Sequence, residues 1–153
     1  MFWQPSPGLG IDATWTDNNA FYTNNAEGRY IEGSMQKTGQ IGISLTRENW
    51  ESSFRLRYLG SYPLLPDNSA QASSHLLASI RGGYNLGSAT IYAEIFNLFD
   101  KDAKDITYLY GAYVAGFDPD GLTADDINCS VTNCFMSRAS EPRTLRFGVK
   151  WSF

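Results

Sequence analysis

RTLRFGVKWSF, residues 143–153, alternates between two kinds of side chain at every step. Leu145, Phe147, Val149, Trp151 and Phe153 are apolar or aromatic, whereas Thr144, Arg146, Gly148, Lys150 and Ser152 are small, polar or charged. Successive side chains of a β-strand point to opposite faces, so a period of two describes a strand with one apolar and one polar face. The pattern runs through Phe153, although the final residues of soluble domains are usually loose and polar.

The same period recurs upstream. In LGIDATWT (9–16) the apolar set is Leu9, Ile11, Ala13 and Trp15, and in QIGISLT (40–46) it is Ile41, Ile43 and Leu45. ESSFRLRY (51–58) gives Phe54, Leu56 and Tyr58, and HLLASIRGGY (75–84) gives Leu76, Ala78, Ile80 and Tyr84. ATIYAEI (89–95) gives Ala89, Ile91, Ala93 and Ile95. With the last segment these make six strands, and no stretch sustains a helical period. MFWQ reads as the tail of a preceding strand that runs into the turn PSPG, residues 5–8. The charged residues Asp12, Arg55, Arg57, Arg81, Glu94, Arg146 and Lys150 all fall on the non-apolar side of their strands.

The connections alternate in length. RENW (47–50) and NLGS (85–88) are short, whereas 17–38, 60–73 and 99–141 are long. All long connections therefore emerge at one end of the sheet and all short ones at the other, as in an outer-membrane barrel. In a soluble sandwich the apolar side would be a packed core; in a membrane barrel it meets lipid, and the charged side lines a lumen. Trp15, Tyr58, Tyr84 and Trp151 stand towards strand ends on the apolar side, where barrels carry aromatic girdles.

Composition agrees with a β protein. Aromatic residues make up 14% of the 153-residue chain, and the net charge of −4 leaves no basic excess for a nucleic-acid partner. No stretch approaches the ~20 consecutive apolar residues of a spanning helix, which excludes helical spans only. MFWQPSPG has neither the basic start nor the apolar centre of a signal peptide, so either the chain is cytosolic or its true beginning lies elsewhere.

No residues group as a nucleophile with its base, no glycine-rich phosphate loop follows a strand, and His75 is the only histidine. No catalysis, cofactor or metal is expected, and His75 reads as a solvated rim residue. Cys129 and Cys134 are spaced for a small disulfide loop in an oxidising compartment, with free thiols as the alternative. DPDGLTADD (118–126) has acidic spacing but lacks the alternation and closing Glu of an EF-hand loop. Tyr108, Tyr110 and Tyr113 in the last long connection are candidates for stacking on a ligand, or for continuing the girdle outward.

YNLGSATIYAEIFNLFDKDAKDITY (84–108), leading on to EPRTLRFGVKWSF (141–153), closely resembles the C-terminal end of TonB-dependent outer-membrane receptors. The shared features are the Asn97, Leu98, Phe99, Asp100 motif before the last extracellular loop and the Pro142, Arg143 pair before the closing strand. PSPGLGIDATWT, GRYIEGSMQKTGQIGISL and RLRYLGSYPL also look like late strands of that family. The resemblance implies an all-β fold: an antiparallel transmembrane barrel segment, about six C-terminal strands of a 22-stranded barrel, with long extracellular loops and short periplasmic turns. Residues 1–153 would be the C-terminal part of the barrel domain, without the plug and the earlier strands. It further implies a barrel-assembly signal at Arg146, Gly148, Trp151 and Phe153. The implied location is the outer membrane of a Gram-negative bacterium. Implied partners are outer-membrane lipid, the barrel-assembly machinery, the plug domain, the TonB complex and a small-molecule ligand such as a ferric siderophore. Vitamin B12, nickel complexes and carbohydrates are the family's other cargoes. The alternatives are a small soluble β-sandwich or lipocalin-like binder, which would bury Ile41, Ile43, Leu56 and Phe147, and a self-assembling mini-barrel.

Overall fold

The computed structural model describes residues 1–24, 26–110 and 134–151, the side chains of Tyr110 and Cys134 excepted. It is all-β, with no helix among the described residues. The strands are β1 (Phe2–Ser6), β2 (Leu9–Asp17), β3 (Lys37–Arg47), β4 (Trp50–Leu59), β5 (Tyr62–Pro63), β6 (Gln71–Ala72), β7 (His75–Asn85), β8 (Ala89–Phe96), β9 (Lys104–Tyr110), β10 (Cys134–Ala139) and β11 (Thr144–Trp151).

Seven of them form one antiparallel sheet in the order β1-β2-β3-β4-β7-β8-β11, so each strand lies beside the one it follows in the sheet. The six strands expected from the period of two are all present in this sheet, and residues 2–4 of MFWQ fall in β1, which runs on to Ser6 and pairs with β2. The turns at 7–8, 48–49 and 86–88 lie at one end, and the described parts of 18–36, 60–74 and 97–143 lie at the other. The long segments contain more order than the sequence suggested. Residues 60–74 hold the β5–β6 ribbon, and 97–143 hold the β9–β10 ribbon.

Register places like with like. Directly opposed residues of an antiparallel pair share a face. Trp3, Ile11, Ile43, Phe54, Ile80, Ile95 and Leu145 stand opposite one another in turn across all seven strands. On the other face, Gly10, Ser44, Ser53, Arg81, Glu94 and Arg146 form the corresponding row. One step of slip at any pair would mix the two sets, so the pattern specifies the register.

Aromatic rings mark both ends of the apolar face. Trp15 and Tyr58 stack at 6.0 Å and 5° across the intervening Gly39, where a side chain would collide with the indole. At the turn end Trp50 meets Tyr84 edge to face at 4.7 Å, and Trp151 stands opposite Ala89. From Trp50 to Tyr58 along β4 is about 26 Å of strand, or about 20 Å of height at a barrel-like tilt of about 40°.

The buried apolar cluster is elsewhere. Tyr62, Leu64 and Ala72 pack with Met35, Ala70 and Leu109 at the long-segment end, joining 18–36, the β5–β6 ribbon and β9. The sheet faces are open: Ile41 is 48% exposed, Ile43 41% and Phe147 74%.

Candidate functional site

Three arrangements position chemistry-bearing side chains: the apolar face, the charged face and the cap of ordered segments at one end of the sheet.

Among the described residues, the apolar face carries no charge between its two aromatic rows. All four tryptophans of the chain lie on it: Trp3, Trp15, Trp50 and Trp151 stand opposite Ile11, Gly39, Tyr84 and Ala89. About a dozen large apolar side chains here are exposed. At roughly 1 kcal/mol of unrealised transfer for each half-exposed residue, the penalty in water would be on the order of 10 kcal/mol, comparable to the whole stability of a typical domain.

The opposite face holds the charges. Arg81 reaches Glu51 at 3.6 Å and lies 4.0 Å above the Tyr92 ring. That ring in turn covers Gly148, where a side chain would displace it. Arg146 bonds Glu141, at the start of the approach to β11. The charges thus pair partly among themselves. Of the expected assembly-signal residues, Arg146 points to this face, Gly148 provides the flat seat for Tyr92, and Trp151 is exposed on the apolar side; Phe153 lies outside the described residues.

The cap is fixed by a few polar contacts. Asn97 is fully buried, and its side chain ties together both ends of the last long segment. Its Nδ2 donates to the carbonyls of Lys101 (2.9 Å) and Glu141 (3.1 Å), and its Oδ1 accepts from the Lys101 amide at 2.9 Å. Asp100 accepts the Arg143 amide at 2.9 Å and faces its guanidinium at 3.8 Å. Asn97 and Asp100 both have positive φ, 49° and 51°, which short polar side chains tolerate better than most. The Asn-Leu-Phe-Asp motif and the Pro-Arg pair, 43 residues apart, are therefore two halves of one clasp. Leu98 is half-buried, Phe99 is exposed, and the Pro142 carbonyl accepts the Thr144 hydroxyl at 2.9 Å.

Tyr62 locks the two ribbons together. Its hydroxyl accepts the Thr107 amide at 2.6 Å and donates to the Thr107 carbonyl at 3.1 Å. Beside this contact lies a cavity of about 370 Å³. Ala72, Ala103 and Thr107 form its buried floor, and Ser73, Ser74, Asp102, Lys104 and Phe135 contribute to its rim. His75 is at its edge, on the charged face of β7 and one position beyond the Tyr58–Leu76 pair, outside the apolar band. It is not a solvated rim histidine: its Nε2 is buried with no hydrogen-bond partner among the described residues. Burial, reinforced by Arg57, holds its pKa below the usual histidine value against the opposing pull of Asp105 and the Ser73 backbone. Burial and Arg57 both favour the neutral imidazole.

Tyr108 does not enter this cavity; it is exposed on the outward side of β9, opposite Met136. The Tyr110 side chain, Tyr113, the Cys129–Cys134 pairing and the acidic stretch 118–126 lie outside what the structure describes. Sequence reasoning passed over Tyr62, Thr107, Asp102 and Phe135, whose shared location depends on tertiary contacts. No protein-family model matches the chain.

Proposed function

We propose that this chain is the C-terminal barrel segment of a TonB-dependent receptor in the outer membrane of a Gram-negative bacterium. The apolar face meets lipid, the charged face lines the lumen, and the cap is extracellular. In the whole receptor the segment serves active uptake of a scarce ligand, for which a ferric siderophore is the family's commonest case. Energy reaches it from the TonB complex through a plug within the lumen, and the barrel-assembly machinery inserts it.

The observation that carries the reading is a single-layer antiparallel sheet whose apolar face, charge-free between two aromatic rows, is left uncovered by the described residues. A sandwich would bury Ile41, Ile43, Leu56 and Phe147, yet three of these are exposed and Leu56 is only half-buried. Strand parity adds support. With seven strands, β1 and β11 run the same way, so joining their edges directly would create a parallel seam. All-antiparallel closure needs an odd number of further strands, as a 22-stranded barrel supplies; a ring of identical copies inserted the same way would repeat the parallel seam at every junction.

The test is to refold the chain into vesicles containing phospholipid brominated along its acyl chains and to read tryptophan fluorescence. Quenching of Trp3, Trp15, Trp50 and Trp151 is expected. A monomer that folds in detergent-free buffer with unquenched tryptophans would overturn the membrane reading. For the receptor assignment, the transcript 5′ of the Met1 codon is sequenced. Further alternating strands preceded by a globular domain are expected; a start signal immediately before Met1 counts against it.

A further inference from the structure

We infer that the cavity between β6, the start of β7 and the β9–β10 ribbon binds a neutral, hydroxyl-rich compound, a saccharide of one or two rings. This names the cargo class for the extracellular cap and, as transport, rests on the receptor reading; as binding, it stands on the cavity alone.

Size sets the first bound. A cavity of about 370 Å³ lies at the small end of ligand sites, which run from roughly 300 to 1,000 Å³. The donor and acceptor set provides the second argument. Ser73 and Ser74 each offer a hydroxyl that both donates and accepts, Asp102 offers acceptors only, and Lys104 offers donors only. Among the described residues no hydrogen bond or ion pair engages these four side chains, so their capacity is free for a ligand. Gln71 is anchored through its Nε2 to Asn68 at 3.0 Å, leaving its carbonyl oxygen for the cavity. Adjacent hydroxyls of a sugar use such a mixture of donors and acceptors, whereas an apolar ligand would leave it unpaired.

Charge discriminates against an anionic chelate. Lys104 is balanced by Asp102, and the charges that act on His75 are one of each sign, Arg57 and Asp105, so the rim presents no net positive field to attract an anion. Phe135 places a ring at the rim, a flat apolar surface against which the C–H face of a sugar can lie. The floor is preorganised: Thr107 is held at both backbone groups by Tyr62, and the Ala103 carbonyl accepts the Ser140 amide at 2.9 Å.

The experiment is saturation-transfer NMR of maltose and cellobiose with the full chain refolded in an amine-oxide detergent, which has no sugar headgroup. Transfer to ring protons of at least one saccharide is expected. Asp102→Ala and Phe135→Ala should each weaken binding at least tenfold. Phe135→Leu, which keeps bulk without the ring, should weaken it to a similar degree, and Ile106→Thr on the outward side of the same ribbon should not. Three results overturn the inference: no transfer in a preparation with an intact strand signal in circular dichroism, binding that survives Asp102→Ala and Phe135→Ala, or preferential transfer to 2,3-dihydroxybenzoate. The two proposals fail separately. Saccharide binding with unquenched tryptophans would leave the cavity assignment standing without the membrane, and quenching without saccharide binding the reverse.

Discussion

The described residues form two apolar regions, and they are treated oppositely. The larger one, rows of Ile, Leu, Phe and Trp across seven strands, lies open. The smaller one, Tyr62, Leu64 and Ala72 with their neighbours, is buried under ordered segments. In water the hydrophobic effect would favour covering the larger area first. The inversion is what the proposed environment would account for: with lipid against the sheet face and water around the cap, only the cap would need to build its own small core.

A charge at the centre of the sheet face should break this contrast most strongly. Ile43 sits mid-row between Ile11 and Phe54. Against lipid, Ile43→Lys should destabilise the folded state by about 2–4 kcal/mol, as cations do near the bilayer midplane. Ser79→Glu, on the other face opposite Arg55, should change stability by less than about 0.5 kcal/mol. Urea titrations of vesicle-refolded protein measure both, and equal small effects would mean that the apolar face meets water.

The next largest effect tests how the two regions are joined. Asn97→Ala removes three part-buried hydrogen bonds and leaves the Lys101 amide and carbonyl and the Glu141 carbonyl without that partner. A loss of about 2–3 kcal/mol is expected from the unsatisfied groups, together with faster proteolysis after residue 97. Phe99→Ala, at an exposed ring two positions on, should cost less than about 0.5 kcal/mol. A clasp that merely decorates the surface would give the two variants the same small effect.

How much of this was legible follows the same division. The sheet strands were readable because a period of two is a local property, and each strand carries its own apolar side. β1 showed only as MFWQ before a turn. The β5–β6 ribbon has two residues in each strand, too few for any period, and owes its place to Tyr62 packing under 18–36. KDITYLY does alternate at Ile106, Tyr108 and Tyr110, a signal that could have identified β9, but Leu109 blurs it by facing the core. Asn97 and Asp100 stood out through resemblance, yet their positive φ and their reach to 141 and 143 were not readable from one strand. The cavity draws on 71–75, 102–104, 107 and 135, which only the folded cap brings together.

The smallest expected effect separates cap from sheet by pH. Asp67 sits in the turn between β5 and β6, where its Oδ1 accepts the Ser69 amide at 3.0 Å and the Ser69 hydroxyl at 2.7 Å. These bonds, the backbone one first, hold its carboxyl below the ordinary aspartate value. The folded pKa is thus lower than the unfolded one, so the stabilisation is complete above the unfolded value of about 3.9 and is lost as pH falls through the folded one. The same turn carries the Pro66 carbonyl that accepts the Tyr30 amide at 3.0 Å, so loosening it should spread to 18–36. Amide exchange followed from pH 5 downward should show Ser69 and Tyr30 losing protection while Ile43 retains it. Asp67→Asn, which cannot titrate, should remove the pH dependence at Ser69. Simultaneous loss at Ile43 would show that cap and sheet unfold as one unit, and the contrast between them would then be one of surroundings alone.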